Sequence, residues 1–154
     1  MAAFFLDSSS VVKRYVEESG SAWVNQLFDS ATDDRKYVAR ITGVEVVAAV
    51  ARRRRGGTVT ADRAANLLKQ FRDEFGSRLR IVETTALVLH HAMQLAEVHG
   101  LRAYDAVQLA AVLELNRQRQ STGLDGPILV SGDHELNGAA ATVGLSVEDP
   151  NQHP

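Results

Sequence analysis

The chain contains no cysteine among its 154 residues. That absence removes disulfide frameworks, thiol nucleophiles and every thiolate zinc site from the functions to be weighed, and it suits a reducing cytoplasm. Aromatic residues make up only 6%, too few for a dedicated surface on which single-stranded bases stack. Neither sign of charge dominates. With 17 Lys and Arg against 19 Asp and Glu, the net charge of −2 supplies no global attraction to nucleic acid or membrane, so local patches or metal ions must hold any polyanion. No apolar run approaches the roughly 20 residues of a membrane span, and "MAAFFLDSSS" reaches Asp7 without the basic start of a secretory signal; the expectation is an intracellular, cytoplasmic protein. His90, His91, His99 and His134 include no H-x-x-x-H pair and so no helical zinc spacing. They read as surface or partly packed groups, with His134 notable only for its place beside Asp133. Ser8, Ser9 and Ser10 lack a G-x-S-x-G elbow and a partner base, which argues against covalent catalysis.

What is present is a regular alternation. A short strand "AAFFL" precedes a helix from "SSSVVKRYVEE", a second helix around "AWVNQLFDSA" and a strand "KYVAR". The helix "GVEVVAAVARRRR" stops at Gly56-Gly57, and "ADRAANLLKQFRDEF" forms the next. Then come a strand "RLRIVE", helices "TALVLHHAMQLAEVH" and "DAVQLAAVLELNRQ", a loop "QSTGLDGP", a strand "PILVS", a short helix near Asp133 and a last strand "LSVE". Short strands separated by helices imply parallel pairing with right-handed crossovers, hence a three-layer α/β/α sandwich with a central parallel sheet. A chain of this length buries roughly two thirds of its unfolded surface. We expect one domain over residues 1–149 and a flexible tail over 150–154.

In such folds ligands bind where the carboxyl ends of strands feed helix N-termini, and four acids fall at those junctions. Asp7 follows the first strand, Glu45 lies in the first turn after "KYVARIT", Asp105 opens "DAVQLAAV", and Asp133 follows "ILVSG". Each has an ordinary explanation. Thr42 with Glu45 spells a T-x-x-E capping box, Asp105 with Gln108 the related D-x-x-Q pattern, and Asp7 and Asp133 complement helix dipoles. The set differs from its members. Two unit charges about 4 Å apart repel by about 4 kcal/mol at an effective dielectric of 20, whereas a helix N-terminus returns only about 0.3–1 kcal/mol per acid. Four converging carboxylates therefore call for a counter-ion, a proton or an intruding Arg or Lys. Oxygen ligands without Cys favour a hard cation, Mg²⁺ or Mn²⁺, held partly through water.

In order, "FLDSSSVVKRYVEE", "ITGVEVVAAVARR", "LRAYDAVQLAAV" and "LVSGDHELNGAAATVGLSVEDP" resemble the acidic motifs of PIN-domain nucleases. Size and wording are most similar to the VapC toxin ribonucleases of type II toxin-antitoxin pairs. The resemblance spans nearly the whole chain, and its most specific piece is "L-R-x-x-D-A-x-x-L-A". It implies Asp7, Glu45, Asp105 and Asp133 as the catalytic, metal-binding acids, with Asp7 and Asp105 as direct ligands and Glu45 and Asp133 on a second ion or acting through water. Ser131 matches a Ser/Thr that supports the site, and Ser9 is placed to hydrogen-bond Asp7 or a water. The implied activity is Mg²⁺- or Mn²⁺-dependent endonucleolytic RNA cleavage leaving a 3′-hydroxyl and a 5′-phosphate. The implied partners are a VapB-type antitoxin, whose tail often places an Arg in the acid pocket, and a second copy of the chain.

Arg52, Arg53, Arg54 and Arg55 form the densest charge run and point around the helix axis. They can satisfy a helix C-terminus, contact RNA phosphates or pair with an acidic partner surface. Trp23, Tyr15, Phe28 and Tyr104 read as packing or interface residues. Two alternatives stand beside the toxin: a PIN nuclease in RNA processing without an antitoxin, and a receiver-like signalling domain that binds Mg²⁺. The receiver wants an adjacent acid pair after the first strand and a Lys after a late one; "FLDSSS" and "ILVSGDHEL" supply neither. A haloacid-dehalogenase-type phosphatase wants D-x-D, which "DSS" does not provide.

Overall fold

Two-residue alternation along the strands decides the architecture of the computed structural model, which describes residues 1–29 and 31–153. The elements run β1 (Ala3–Leu6), α1 (Ser8–Tyr15), α2 (Ser21–Asp29), β2 (Arg35–Ala39), α3 (Thr42–Arg55), α4 (Ala61–Glu74), β3 (Leu79–Val82), α5 (Ala86–His99), α6 (Ala103–Ser121), β4 (Ile128–Val130), α7 (His134–Thr142) and β5 (Ser146–Glu148). All strand pairs are parallel, in the order β3-β2-β1-β4-β5. Phe5, Ala39, Val82 and Leu129 pack with α5, α6 and α7 on one face. Leu6, Val38, Leu79 and Val130 pack with α1 to α4 on the other. Successive side chains of a strand point to opposite faces, and here both faces are buried, which is the condition of a parallel sheet between two helical layers. This is the α/β/α sandwich the alternation implies.

Three local expectations change. The first helix does not run through "VEE": Val16 is extended, its N–H closing on Val12 O, so Glu17 and Glu18 belong to the turn before α2. The second helix ends at Asp29, and the Ser30 of the expected "AWVNQLFDSA" helix lies outside the described residues. Residues 150–153, expected as a flexible tail, are packed. Asp149 caps a one-turn 3₁₀ helix over Pro150–Gln152, Pro150 is buried, and the His153 ring stacks on Trp23 at 4.5 Å. Gly20 makes this possible: at φ +83° it lies so close that a Cβ would sit 2.4 Å from Pro150 O. Pro154 lies outside the described residues.

A buried ion pair joins three helices of one layer. Arg14 of α1 donates from Nε and Nη2 to the two oxygens of Glu74 of α4, both at 2.6 Å, and Tyr15 Oη adds a bond of 2.7 Å. The guanidinium lies 3.9 Å from the centre of the Phe28 ring of α2. Burial pushes the Glu74 carboxyl up, but the bonds from Arg14 and Tyr15 and the charge of Arg14 outweigh it and hold the group below the usual range. Its contribution is therefore present above the unfolded glutamate pKa and lost as pH falls through the depressed folded value. The Arg14 and Glu74 side chains are only 7% and 11% exposed, so Glu74→Ala strands a buried cation. Urea denaturation near neutral pH should show a loss of about 3–5 kcal/mol; a loss under about 1 kcal/mol would mean that Arg14 is not stranded but reaches water or another partner.

Candidate active site at the carboxyl edge of the sheet

The strand order reverses between β1 and β4. From β1 the chain enters α1 in one layer, and from β4 it enters α7 in the other, so the two exits diverge and leave a crevice. Register places Leu6 opposite Val130, which sets Asp7 beside Ser131. Asp7 is 3% exposed, and both of its oxygens accept hydrogen bonds. Oδ1 accepts from Ser10 N at 2.9 Å as the α1 N-cap and from Ser9 Oγ at 2.7 Å, while Oδ2 accepts from Ser131 Oγ at 2.8 Å. The serines in turn accept from the β4–α7 loop, Ser9 Oγ from Gly132 N and Ser131 Oγ from Asp133 N. Burial pushes the Asp7 carboxyl up against the downward pull of these bonds.

Glu45 reaches the same edge from α3, but not as a capping box. Thr42 is already the first helical residue, and the N-cap is Ile41, which makes no side-chain cap bond. Instead Gln108 of α6 donates through Nε2 to Thr42 Oγ1 at 2.9 Å and to Glu45 Oε1 at 2.8 Å, and Ser8 Oγ donates to Glu45 Oε2 at 2.9 Å. Gln108 is 1% exposed. It bridges the two helical layers over the end of the sheet, and its orientation is unambiguous because a flipped amide would face a carboxylate with its oxygen.

The D-x-x-Q cap also fails to form. Helix α6 begins two residues before Asp105, with Arg102 as an N-cap that makes no side-chain bond. Among the described residues nothing donates a hydrogen bond to the Asp105 carboxylate. Its pKa is pushed up to about 6, first by burial and then by the charges of Asp133, Asp7 and Glu45; the cation among these influences, Arg102, counts least. Four acids distant in sequence thus act on one another across the crevice. Asp133 caps α7, its Oδ1 accepting from Leu136 N at 2.8 Å, and its Oδ2 receives no hydrogen bond among the described residues. Among those residues no three His, Asp or Glu side chains are grouped so as to hold a metal ion between them. The donor set is therefore all oxygen, strongly anionic and open on Asp105 and Asp133, which fits a hard cation bound by one or two carboxylates with water completing its shell.

A cleft of about 660 Å³ opens from this edge, lined by Glu45, Asp133, Ser8 and Ser9 and, further out, by Lys13, Glu18, Arg52, Arg53, Tyr104 and Asn151. The arginine run divides: Arg52 and Arg53 face this cleft, while Arg54 and Arg55 line a separate groove between α3 and α4. His134 is exposed and lines neither. Sequence reasoning overlooked Gln108 as a bridge, and also Lys13, Glu18 and Asn151. Asn151 arrives from the packed C-terminal turn, its Nδ2 so near Gly132 that a Cβ there would sit 2.7 Å away. Tyr104, 56% exposed beside Asp105, was legible as an aromatic next to a candidate acid.

Comparison with known proteins follows the same line. The family model described as PIN domain matches residues 4–140. Ribonuclease VapC45 of Mycobacterium tuberculosis is 32% identical over 154 residues, covering all of both chains. Among solved structures, PAE2754 from Pyrobaculum aerophilum superposes with a TM-score of 0.64 at 20% identity, covering 99% of this chain and 92% of that one. VapBC-1 from nontypeable Haemophilus influenzae gives 0.60 at 13% identity, covering 96% and 98%. No described helix is long and apolar enough to cross a membrane.

Burial and the charges of the neighbouring acids give Asp105 a pH dependence of measurable sign. Its folded pKa lies above the unfolded value, so relative to a neutral side chain its contribution is best at low pH and deteriorates as pH rises through about 6. In buffer free of divalent ions, Asp105→Asn should raise stability at neutral to mildly alkaline pH, by on the order of 1–2 kcal/mol once screening at a half-exposed group is allowed for. The advantage should shrink as pH falls through 6 and vanish towards the ordinary aspartate pKa. Thermal melts of both chains across this range check it; no stabilisation above pH 6 would mean that neither burial nor the neighbouring acids penalise the Asp105 charge.

Proposed function

The chain belongs to the PIN-domain family and, within it, to the VapC ribonucleases, and on that footing we propose that it is an endoribonuclease toxin of a type II toxin-antitoxin pair, hydrolysing RNA phosphodiester bonds with Mg²⁺ or Mn²⁺. The observation that carries this reading is Asp105: a carboxyl group with no hydrogen-bond donor, raised to about 6 by burial and three neighbouring acids. Such a group is costly unless a cation completes it. The family match sets the receiver-like alternative aside.

Asp7 and Asp105 are the acids we assign as direct ligands, with Glu45 and Asp133 acting on a second ion or through water. A divalent ion held there supplies charge neutralisation for an approaching phosphodiester, polarisation of a phosphoryl oxygen and a lowered pKa for an attacking water. The chain's own contribution is positional. Ser9 and Ser131 fix both oxygens of Asp7, so it cannot rotate away, and Gln108 with Ser8 does the same for Glu45. Asp133 is the better placed of Glu45 and Asp133 to take the water's proton, because its Oδ2 receives no hydrogen bond among the described residues whereas both oxygens of Glu45 accept one. Arg52 and Arg53 supply positive charge along the cleft for RNA phosphates.

A VapB-type antitoxin is the proposed partner, since the solved complex of similar fold is a VapBC pair, and a guanidinium from it would offset the acids as a metal ion does. We also assign a homodimer and a toxin-antitoxin hetero-oligomer.

Purified protein should cleave total RNA with Mg²⁺ or Mn²⁺ and stop in EDTA, and Asp105→Asn should lower the rate by at least about hundredfold while keeping the fold by circular dichroism. In cells the parent should arrest growth and the variant should not. Cleavage that persists in EDTA, or equal activity of the two chains, would overturn the assignment.

A further inference from the structure

Beyond the acids, the cleft holds a second charged constellation of opposite balance. Lys13 is in the last turn of α1, yet its side chain is only 8% exposed. Its ammonium donates to Ser19 O at 2.9 Å and to Glu18 Oε1 at 3.2 Å. The other oxygen, Glu18 Oε2, accepts from Arg53 Nη2 of α3 at 3.1 Å. One carboxylate therefore bridges two cations from two helices, one oxygen to each, and all three residues line the same cleft as Glu45 and Asp133.

The arrangement is local in origin. Because α1 ends at Tyr15, the chain turns back and brings Glu18 over the end of its own helix. Glu18 N donates to Ser21 Oγ at 2.9 Å, which fixes the backbone of the turn and leaves the side chain to reach into the cleft. Glu18 and Arg53 are each 32% exposed, and an ion pair of that exposure is weak in water, so the carboxylate leaves Arg53 readily. Lys13, by contrast, is held in place by a carbonyl oxygen as well.

The geometry points to a subsite for an RNA phosphate next to the scissile one. We propose that Lys13 and Arg53 bind the two non-bridging oxygens of that phosphate, and that Glu18 occupies the subsite in the free protein as an internal anion which RNA displaces. This rests on the ribonuclease reading above and adds to it. A phosphodiester presents two anionic oxygens as a carboxylate does, and a strand that enters a cleft lined by Glu45 and Asp133 needs positive charge in the same cleft. Glu18 thereby keeps the cation pair in position while lowering affinity for RNA, a weakening that falls on binding and not on the chemistry at Asp105.

The test measures binding of a labelled, mixed-sequence single-stranded oligoribonucleotide in Mg²⁺, with every chain carrying Asp105→Asn so that RNA stays intact. Glu18→Gln should tighten binding about fivefold, the scale of one partly exposed ion pair and one to a buried lysine removed from competition. Arg53→Gln and Lys13→Met should each weaken it, and either should cancel most of the gain when combined with Glu18→Gln; Arg53→Gln keeps the test valid if the buried Lys13 tolerates no change. Glu17→Gln, which removes the same charge from an exposed neighbour, should leave affinity within about twofold. Weaker binding by Glu18→Gln, an equal gain from Glu17→Gln, or a gain that survives without the cations would each overturn the subsite. Wild-type cleavage of total RNA separates the two readings: cleavage without these binding changes removes the subsite alone, and binding changes without cleavage remove the nuclease assignment alone.

Discussion

A carboxylate buried where a parallel sheet changes direction is the constraint on which the rest of this site depends. Asp7 has almost no contact with solvent, so its charge must be answered within a few ångströms by donors the fold provides. Ser9 and Ser10 come from its own helix, and Ser131 comes from the neighbouring strand. Those serines are shared with the β4–α7 loop, whose backbone N–H groups donate to them. Satisfying one buried acid thus welds two loops into a single edge and brings Asp133 to the same crevice. Helix capping and site building are here one set of bonds, which is why the capping explanation holds for Asp7 and Asp133 without competing with a functional one.

For Glu45 and Asp105 the capping explanation fails. Glu45 spends its oxygens on Ser8 and Gln108, and Asp105 has no donor among the described residues. A cap lowers the energy of a helix by using an oxygen on a backbone N–H; an acid that stands in the first turn, unbonded and opposed by three others, stabilises nothing in the free chain. The fold tolerates it because α6 is anchored by an otherwise apolar length in the core, Ala106 to Val112, and because the Arg14–Glu74 pair and the packed C-terminal turn secure the opposite layer. Positive charge is kept at a distance, with Lys13 and Arg53 engaged by Glu18 along the cleft and Arg54 and Arg55 turned into a different groove.

Much of this was readable from the residues. Periodicity placed every strand and long helix within a few positions, since alternation at two and at 3.6 residues is a local property that the backbone enforces. Boundaries were harder. Whether α6 starts at Ala103 or Asp105 changes the role of one carboxylate, and Arg102 carries no side-chain signal of a cap. The tail "DPNQHP" looked unstructured because its partners, Gly20 and Trp23, lie some 130 residues away in sequence.

The sequence by itself determined the alternating α/β order, the four acids at helix starts and the family to which the chain belongs, because motifs and periodicities are short-range patterns. Only the tertiary structure decided which acids are caps, that Gln108 bridges the layers to hold Glu45, that the arginine run divides between two grooves, and that Glu18 stands between Lys13 and Arg53. Each of those depends on distances between segments far apart in the chain. Such distances are set by how two helical layers close over one sheet, and no local pattern of residues encodes them.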